Sequence, residues 1–292
     1  MGHRWFPRAL WRVRPPVLAL GGGGARGFAH LGLLEVLELE GLEVRAIAGT
    51  SAGAIMGAMY LALGSTRAMH ERWREAFEKD LVKSVSGIGQ PRHGEGQEEH
   101  PLLRAARTIR DRVVISLAVN RSTILDGEEL ERAVEFLIPD VAIEDLPRPF
   151  VAVATDLVTG EEVRMDRGSL RRAVLASSSI PALVPPVEWG GRPLVDGGVV
   201  VEVPVGAARA LGRPVVAVDI SMDLPPYRPD RLVLETMSRT QMMTATLLRR
   251  YQLRGASRVI RPAVGGYSWS TWDHWPEILE AGRRAGLDLV GR

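Results

Sequence analysis

Ser51 stands at the centre of Gly49-Thr50-Ser51-Ala52-Gly53, a Gly-x-Ser-x-Gly pattern. Small apolar residues precede it, and a helix-forming run from Ala52 to Leu63 follows. Strand, sharp turn and helix in that order make a nucleophile elbow, which projects the serine hydroxyl beside the unpaired amides of a helix N-terminus. Those amides and the helix dipole favour developing negative charge, so the chemistry to expect is attack of Ser51 Oγ on an acyl carbon. Such a nucleophile needs a base and donors for the oxyanion. Two other stretches carry groups of those types. Gly21-Gly22-Gly23-Gly24-Ala25-Arg26-Gly27 follows the apolar run Val17–Leu20. It offers consecutive main-chain amides, no Cβ to bar a carbonyl, and a fixed positive charge at Arg26. Asp196-Gly197-Gly198 follows the run from Arg192 to Val195, at a strand end of the kind that presents catalytic groups.

The base has three candidates. Where an acid and then a histidine follow the serine, the only histidine after Asp196 is His274. His30 precedes the nucleophile on the first helix, where a core or surface role suits it better. Asp196 can itself accept the proton if it lies within hydrogen-bond reach of the hydroxyl. Its bland alternative is an Asx turn with the two glycines that follow.

These residues need a scaffold, and the hydrophobic pattern supplies one. Val17–Leu20 reads as a buried strand ending in the glycine loop. From Phe28 to Glu40 apolar residues recur with helical spacing, and Gly41 ends the run. Val44 to Ala48 is a second strand running into the elbow. The unit β, glycine loop, α, β, elbow, α predicts a parallel sheet with right-handed crossovers. Thr66 to Lys79 is predicted helical. Ser84 to Pro101, with His93 and His100, reads as a polar loop or lid, and Arg104 to Val119 as a helix. Asp126 is expected to cap a helix from Gly127 to Leu137. Phe150 to Thr155 is a buried strand, with Glu162 to Met165 as its hairpin partner. A short helix from Leu170 to Ala176 breaks at Ser177-Ser178-Ser179-Ile180-Pro181. Strands follow at Val184 to Val187, Arg192 to Val195 and Pro214 to Ile220, with a helix over Pro204 to Leu211. Met222 to Pro229 is a proline-rich loop at the sheet's C-terminal edge. The chain closes with a long helix from Arg231 to Arg254, a short strand near Val259 to Arg261 and a helix from Trp275 to Leu289.

Composition narrows the class. The chain has 292 residues, 46% of them hydrophobic, which suffices for a sizeable core. A net charge of +2 gives no sign of a nucleic-acid binder. The absence of cysteine removes thiol nucleophiles and thiolate metal sites, and it suits a reducing, cytoplasmic compartment. Residues 1–16 are basic, carry Trp5, Phe6 and Trp11, and read as a loosely ordered arm. Trp and Arg would also suit a membrane interface. Ala46 to Thr66 is 21 residues without a charge, the length of a membrane span, but it crosses the elbow and reads as strand plus helix. Tyr267, Trp269, Trp272 and Trp275 read equally as a lipid-facing patch or as packing for the final helix. Asp156 and Asp219 read as structural carboxylates at strand ends.

Together Gly22-Gly23-Gly24-Ala25-Arg26-Gly27, Gly49-Thr50-Ser51-Ala52-Gly53 and Asp196-Gly197-Gly198 resemble, in order, the motifs of the patatin-like phospholipases. Ala154 to Gly160 and Ala176 to Pro181 resemble bacterial members. The third motif is Asp-Gly-Gly rather than Asp-Gly-Ala, a variation that family accommodates. The resemblance implies a three-layer α/β/α fold with a mainly parallel sheet over residues 17–292. It also implies a Ser51-Asp196 dyad without a catalytic histidine, and an oxyanion hole from the amides of Gly22, Gly23 and Gly24 with Arg26. Gly49 and Gly53 would shape the elbow. The activity implied is hydrolysis of acyl-lipid esters through an acyl-enzyme, with no metal or cofactor and at most peripheral contact with a membrane.

Other readings remain at this point. Gly22-x-Gly24-x-x-Gly27 matches a dinucleotide fingerprint, but the second strand ends in Ala48 and Gly49 rather than in an acid for the ribose. A catalytically weak lipid-binding or regulatory protein, a non-lipid esterase, and a Ser-Asp-His esterase using His274 are the remaining alternatives.

Overall fold

The computed structural model describes residues 8–81, 127–227 and 233–292. Arg8–Val13 forms a short helix, α1, and Val17–Leu20 the first strand, β1. A 3-10 turn at Gly24–Gly27 leads into α2, Phe28–Leu39. Then come β2 (Ala46–Thr50), α3 (Ala52–Leu63) and α4 (Thr66–Glu78). Further along lie α5 (Glu128–Leu137), β3 (Phe150–Asp156), β4 (Glu162–Met165) and α6 (Leu170–Ser177). After these come β5 (Val187–Trp189), β6 (Arg192–Asp196), α7 (Val205–Leu211) and β7 (Val215–Val218). The last elements are α8 (Val233–Leu253), β8 (Arg258–Ile260) and α9 (Trp275–Val290). The segments around His93, His100, 104–119 and Asp126 lie outside the described residues.

The described strands form one sheet in the order β5-β6-β3-β2-β1-β7-β8, with β4 on β3. From β3 through β2, β1 and β7 to β8 every pairing is parallel. The pairings of β4, β5 and β6 are antiparallel. The central strands are buried on both faces, which is why Val17–Leu20 and Val215–Val218 read as unbroken apolar runs rather than alternating ones. Leu18, Leu20, Ile47, Phe150, Val216 and Val218 point into a core shared with α2 to α6 and α9. Val17, Ala19, Ala46, Ala48, Val151 and Val153 face the opposite core, covered by α7 and the end of α8. The result is the expected three-layer α/β/α arrangement.

Ala46 to Thr66 resolves into β2, the elbow, α3 and a turn. Among the described residues no helix is long and apolar enough to cross a membrane. The N-terminal arm differs from expectation. Its described part is helical, Trp11 is only 1% exposed, and the indole N–H donates to the Glu43 carbonyl at 2.7 Å. A buried indole with its polar group satisfied ties the arm to the core. The strand expected at Val184 to Val187 begins only at Val187.

One feature of the topology positions the site. On β3, Ala152 to Thr155 pair with β4, so that edge is taken. The other edge is shared end to end: β2 holds Phe150 to Val153 and β6 holds Ala154 to Asp156. Thr50 therefore sits opposite Val153, and Asp196 opposite the next residue, Ala154. The C-terminal end of parallel β2 and that of antiparallel β6 meet head to head, which brings Ser51 and Asp196 to one point.

Candidate active site

The strand, sharp turn and helix around Ser51 form as expected. Ser51 is the N-cap of α3 at φ 53° and ψ −121°, a conformation costly for a residue with a side chain. Close packing enforces it. A Cβ on Gly49 would strike the start of α3, and one on Gly53 would strike the Leu20 carbonyl at the end of β1. Only glycine lets strand and helix approach so nearly. A hydrogen-bond chain locks the strained residue from the other side. The Ser51 N–H donates to Ser177 Oγ at 2.9 Å, and the Ser177 hydroxyl donates to the Val153 carbonyl at 2.6 Å.

Asp196 closes β6. Its N–H donates to the Ser179 carbonyl at 2.8 Å, and its own carbonyl accepts from Thr155 Oγ1 at 3.1 Å. The side chain does two things. Oδ1 accepts the Gly198 N–H at 2.7 Å, the Asx turn anticipated as the bland alternative. The carboxyl also faces the Ser51 hydroxyl, whose interaction favours its charged form. Asp196 is 7% exposed and Ser51 9% exposed. Burial pushes the Asp196 carboxyl up to about 6, against the pull of the Ser51 hydroxyl and the Gly198 N–H. Among the described residues no Lys, Arg or His forms an ion pair with it.

The glycine loop lies beside the elbow because β1 and β2 are parallel neighbours. A Cβ on Gly22 would sit 3.4 Å from Ser51 Cβ. The expected donors are sorted by what they already bond. The Gly22 N–H is committed to the Glu202 carbonyl at 2.9 Å, so Gly22 borders the site without offering its amide. Among the described residues the N–H groups of Gly23 and Gly24 have no acceptor. Arg26 is buried, with Nε donating to the Ile220 carbonyl (2.7 Å) and Nη1 to the Tyr267 carbonyl (2.9 Å). Burial pushes its guanidinium down to about 10, so it remains charged at neutral pH. It ties the glycine loop to the C-terminal segment, which also receives the Ala25 N–H at the Trp269 carbonyl. The expectation of three amides plus Arg26 thus narrows to two unpaired amides and a charge clamped nearby.

The histidines separate clearly. His30 is fully buried with Nε2 at 2.8 Å from the Gly21 carbonyl, to which the neutral ring donates. Burial pushes its imidazole down to about 4, so it stays neutral and props the loop's base. His274 is exposed, with Glu277 3.7 Å away and no bond to Ser51 or Asp196. Asp156 holds the turn after β3 by accepting the Val158 and Thr159 N–H groups. Trp272 and Trp275 pack their rings against Phe28, and Trp269 is half-buried over the glycine loop. The packing alternative therefore holds for the first two.

Ser177 and Ser179 were not singled out as site residues by sequence. Their signal was a run of three serines breaking a short helix, all three of them buried. One clamps the elbow and the other clamps Asp196.

The chain matches the model of the patatin-like phospholipases over residues 18–209. It belongs to that family. Over 188 residues it is 35% identical to proteins of Mycobacterium tuberculosis and Mycobacterium bovis described as uncharacterized NTE family proteins; the match covers 64% of this chain and 44% of theirs. It is 32% identical over 207 residues to patatin-like phospholipase domain-containing protein 6 of Homo sapiens, covering 70% of this chain and 13% of that one. The chain thus spans less than half the length of these relatives. Among solved structures it is similar to VipD of Legionella pneumophila at 17% identity and a TM-score of 0.46, covering 95% of this chain and 67% of that chain.

Proposed function

We propose that residues 17–292 form one acyl-hydrolase unit that cleaves carboxylic ester bonds of phospholipids or lysophospholipids through Ser51 and Asp196. The observation that carries this reading is the meeting of the Ser51 hydroxyl with a buried carboxyl that has no counter-cation among the described residues, at a strained turn beside two unpaired amides. Asp196 accepts the hydroxyl proton as Ser51 Oγ attacks the acyl carbon. The Gly23 and Gly24 amides receive the oxyanion, with the Arg26 charge behind them. Collapse breaks the ester bond, and the alcohol or lysolipid leaves with the proton from Asp196. Water then attacks the acyl-enzyme, giving a proton to Asp196. The fatty acid departs as Ser51 recovers its proton.

The test is incubation with phospholipids, lysophospholipids, glycerides and short acyl esters, with Ser51→Ala as control and mass analysis of products. Release of fatty acid by the wild type alone is the expected result. If a well-folded wild type released none and took no label from a serine-directed phosphonate, the chain would be a binding module instead.

A further inference from the structure

α8 is the most exposed long helix among the described residues, and its outward side carries an arc of large apolar residues beside exposed Ser238 and Gln241. Met237 exposes 56% of its surface, Met243 51%, Leu247 54% and Tyr251 55%, with Leu248 at 42%. At 100° per residue these five fall within one arc of the helix, interrupted only by Thr236, Thr240 and Thr244. The charges lie elsewhere. From Thr236 to Arg254 the chain carries Arg239, Arg249, Arg250 and Arg254 and no acidic residue. Arg249 turns inward to Glu202 and Asp219. Arg239 and Arg250 flank the apolar arc, and Arg254 lies just past the helix end. Arg254 lies over the Tyr251 ring at 4.5 Å, and Arg239 over the ring of Tyr227 at 5.5 Å. Tyr227, 70% exposed, and Leu224 extend the apolar surface along the segment that leaves β7.

An uncharged apolar stripe edged by arginine is the pattern of a helix lying in the interface of an anionic lipid surface. We infer that the outer face of α8, with Leu224 and Tyr227, docks the protein on anionic lipid. A second copy fits less well, because two-fold pairing of the stripe would set arginines of like charge against one another. The location suits a lipid surface too. β7, β1 and β2 are parallel, so the 221–227 segment leaves the same sheet edge as the glycine loop and Ser51. Glu202 links the helix to the loop: its carboxylate takes Arg249 and its carbonyl takes the Gly22 N–H. The inference rests on the lipid-ester reading above.

The full chain carrying Ser51→Ala is sedimented with phosphatidylcholine vesicles, with and without phosphatidylglycerol. Partition onto the anionic vesicles should be at least about tenfold stronger and should weaken as salt rises. Adding Leu247→Asp and Tyr251→Asp should abolish it, and Arg250→Gln with Arg254→Gln should remove the preference for phosphatidylglycerol. In chains with Ser51 intact, both pairs should leave hydrolysis of a water-soluble short ester unchanged. That assay reads the chemistry and sedimentation reads the docking, so either reading can fail alone. Absent partition, equal partition on both vesicles, or full partition by the Leu247/Tyr251 variant would overturn the inference. A shift from dimer to monomer in that variant, with vesicle binding intact, would assign the face to self-association.

Discussion

Two buried aspartates close neighbouring parts of the same sheet edge, and they behave in opposite ways. Asp219, just past β7, meets Arg261 at 2.7 Å and Arg249 at 3.5 Å, and accepts the Ser221 N–H at 3.1 Å. Burial alone would push its carboxyl up, but these partners hold it below the ordinary range. Asp196, at the end of β6, is as deeply placed but meets a hydroxyl and one amide, and its carboxyl rises to about 6. A carboxylate balanced by cations is a fastener. One that is buried without a cation keeps its affinity for a proton, which is what a base needs. Position at a strand end does not distinguish the two; what faces them does.

The comparison breaks most visibly in activity. Ser51→Ala or Asp196→Asn should each lower ester hydrolysis by about 10³-fold or more, whereas Asp219→Asn should leave a folded enzyme within about tenfold of wild type. Equal losses at both aspartates, measured as kcat/KM on a short ester, would dissolve the distinction. The acid limb of the pH profile should follow Asp196: below about pH 6, kcat/KM should fall about tenfold per unit. A limb placed near pH 4 would show that burial does not raise Asp196, and a profile with no acid limb would exclude it as the titrating base.

Stability should run the other way. The Asp196 carboxyl titrates near 6 when folded and near 3.8 when not. Folding therefore binds a proton between those values, and stability present below about pH 3.8 is lost as pH rises through 6. Asp196→Asn removes that penalty, so at pH 7.5 it should raise stability by on the order of 1–3 kcal/mol, a gain that vanishes near pH 4. Asp219→Asn takes one of the two carboxylates from Arg249, leaving Glu202, and should cost about 1–3 kcal/mol at pH 7.5. Calorimetric Tm values for the two variants across pH check both signs. A smaller effect sharpens the geometry. Ser177→Ala strands the Ser51 N–H and should cost about 1–3 kcal/mol while lowering kcat about tenfold, with KM nearly constant. The smallest is His274→Ala, for which no change in kcat/KM is expected. A loss as large as that of Ser51→Ala would restore a histidine base.

Much of this was legible in the chain. Periodicity placed β1, α2, β2 and α3 within a residue or two, because an apolar run between glycines has few other ways to satisfy its backbone. The elbow was legible for a harder reason: Gly49 and Gly53 occupy points where any Cβ meets backbone, so sequence and geometry carry the same constraint. Trp11 was misread, since one indole in a basic arm carries no sign of the Glu43 carbonyl that receives it.

By itself the sequence determined the candidate nucleophile, its turn and the candidate acid, since these depend on local backbone and on residue type. Only the tertiary structure decided the rest. It showed that β2 and β6 share one edge of β3, so that residues 145 positions apart meet. It showed that the Gly22 amide is spent on Glu202 while its two neighbours are not. Among the described residues it set arginines against Asp219 and none in an ion pair with Asp196. Those outcomes depend on what faces each group across the fold, and a proton affinity is set by surroundings rather than by the residue that carries it.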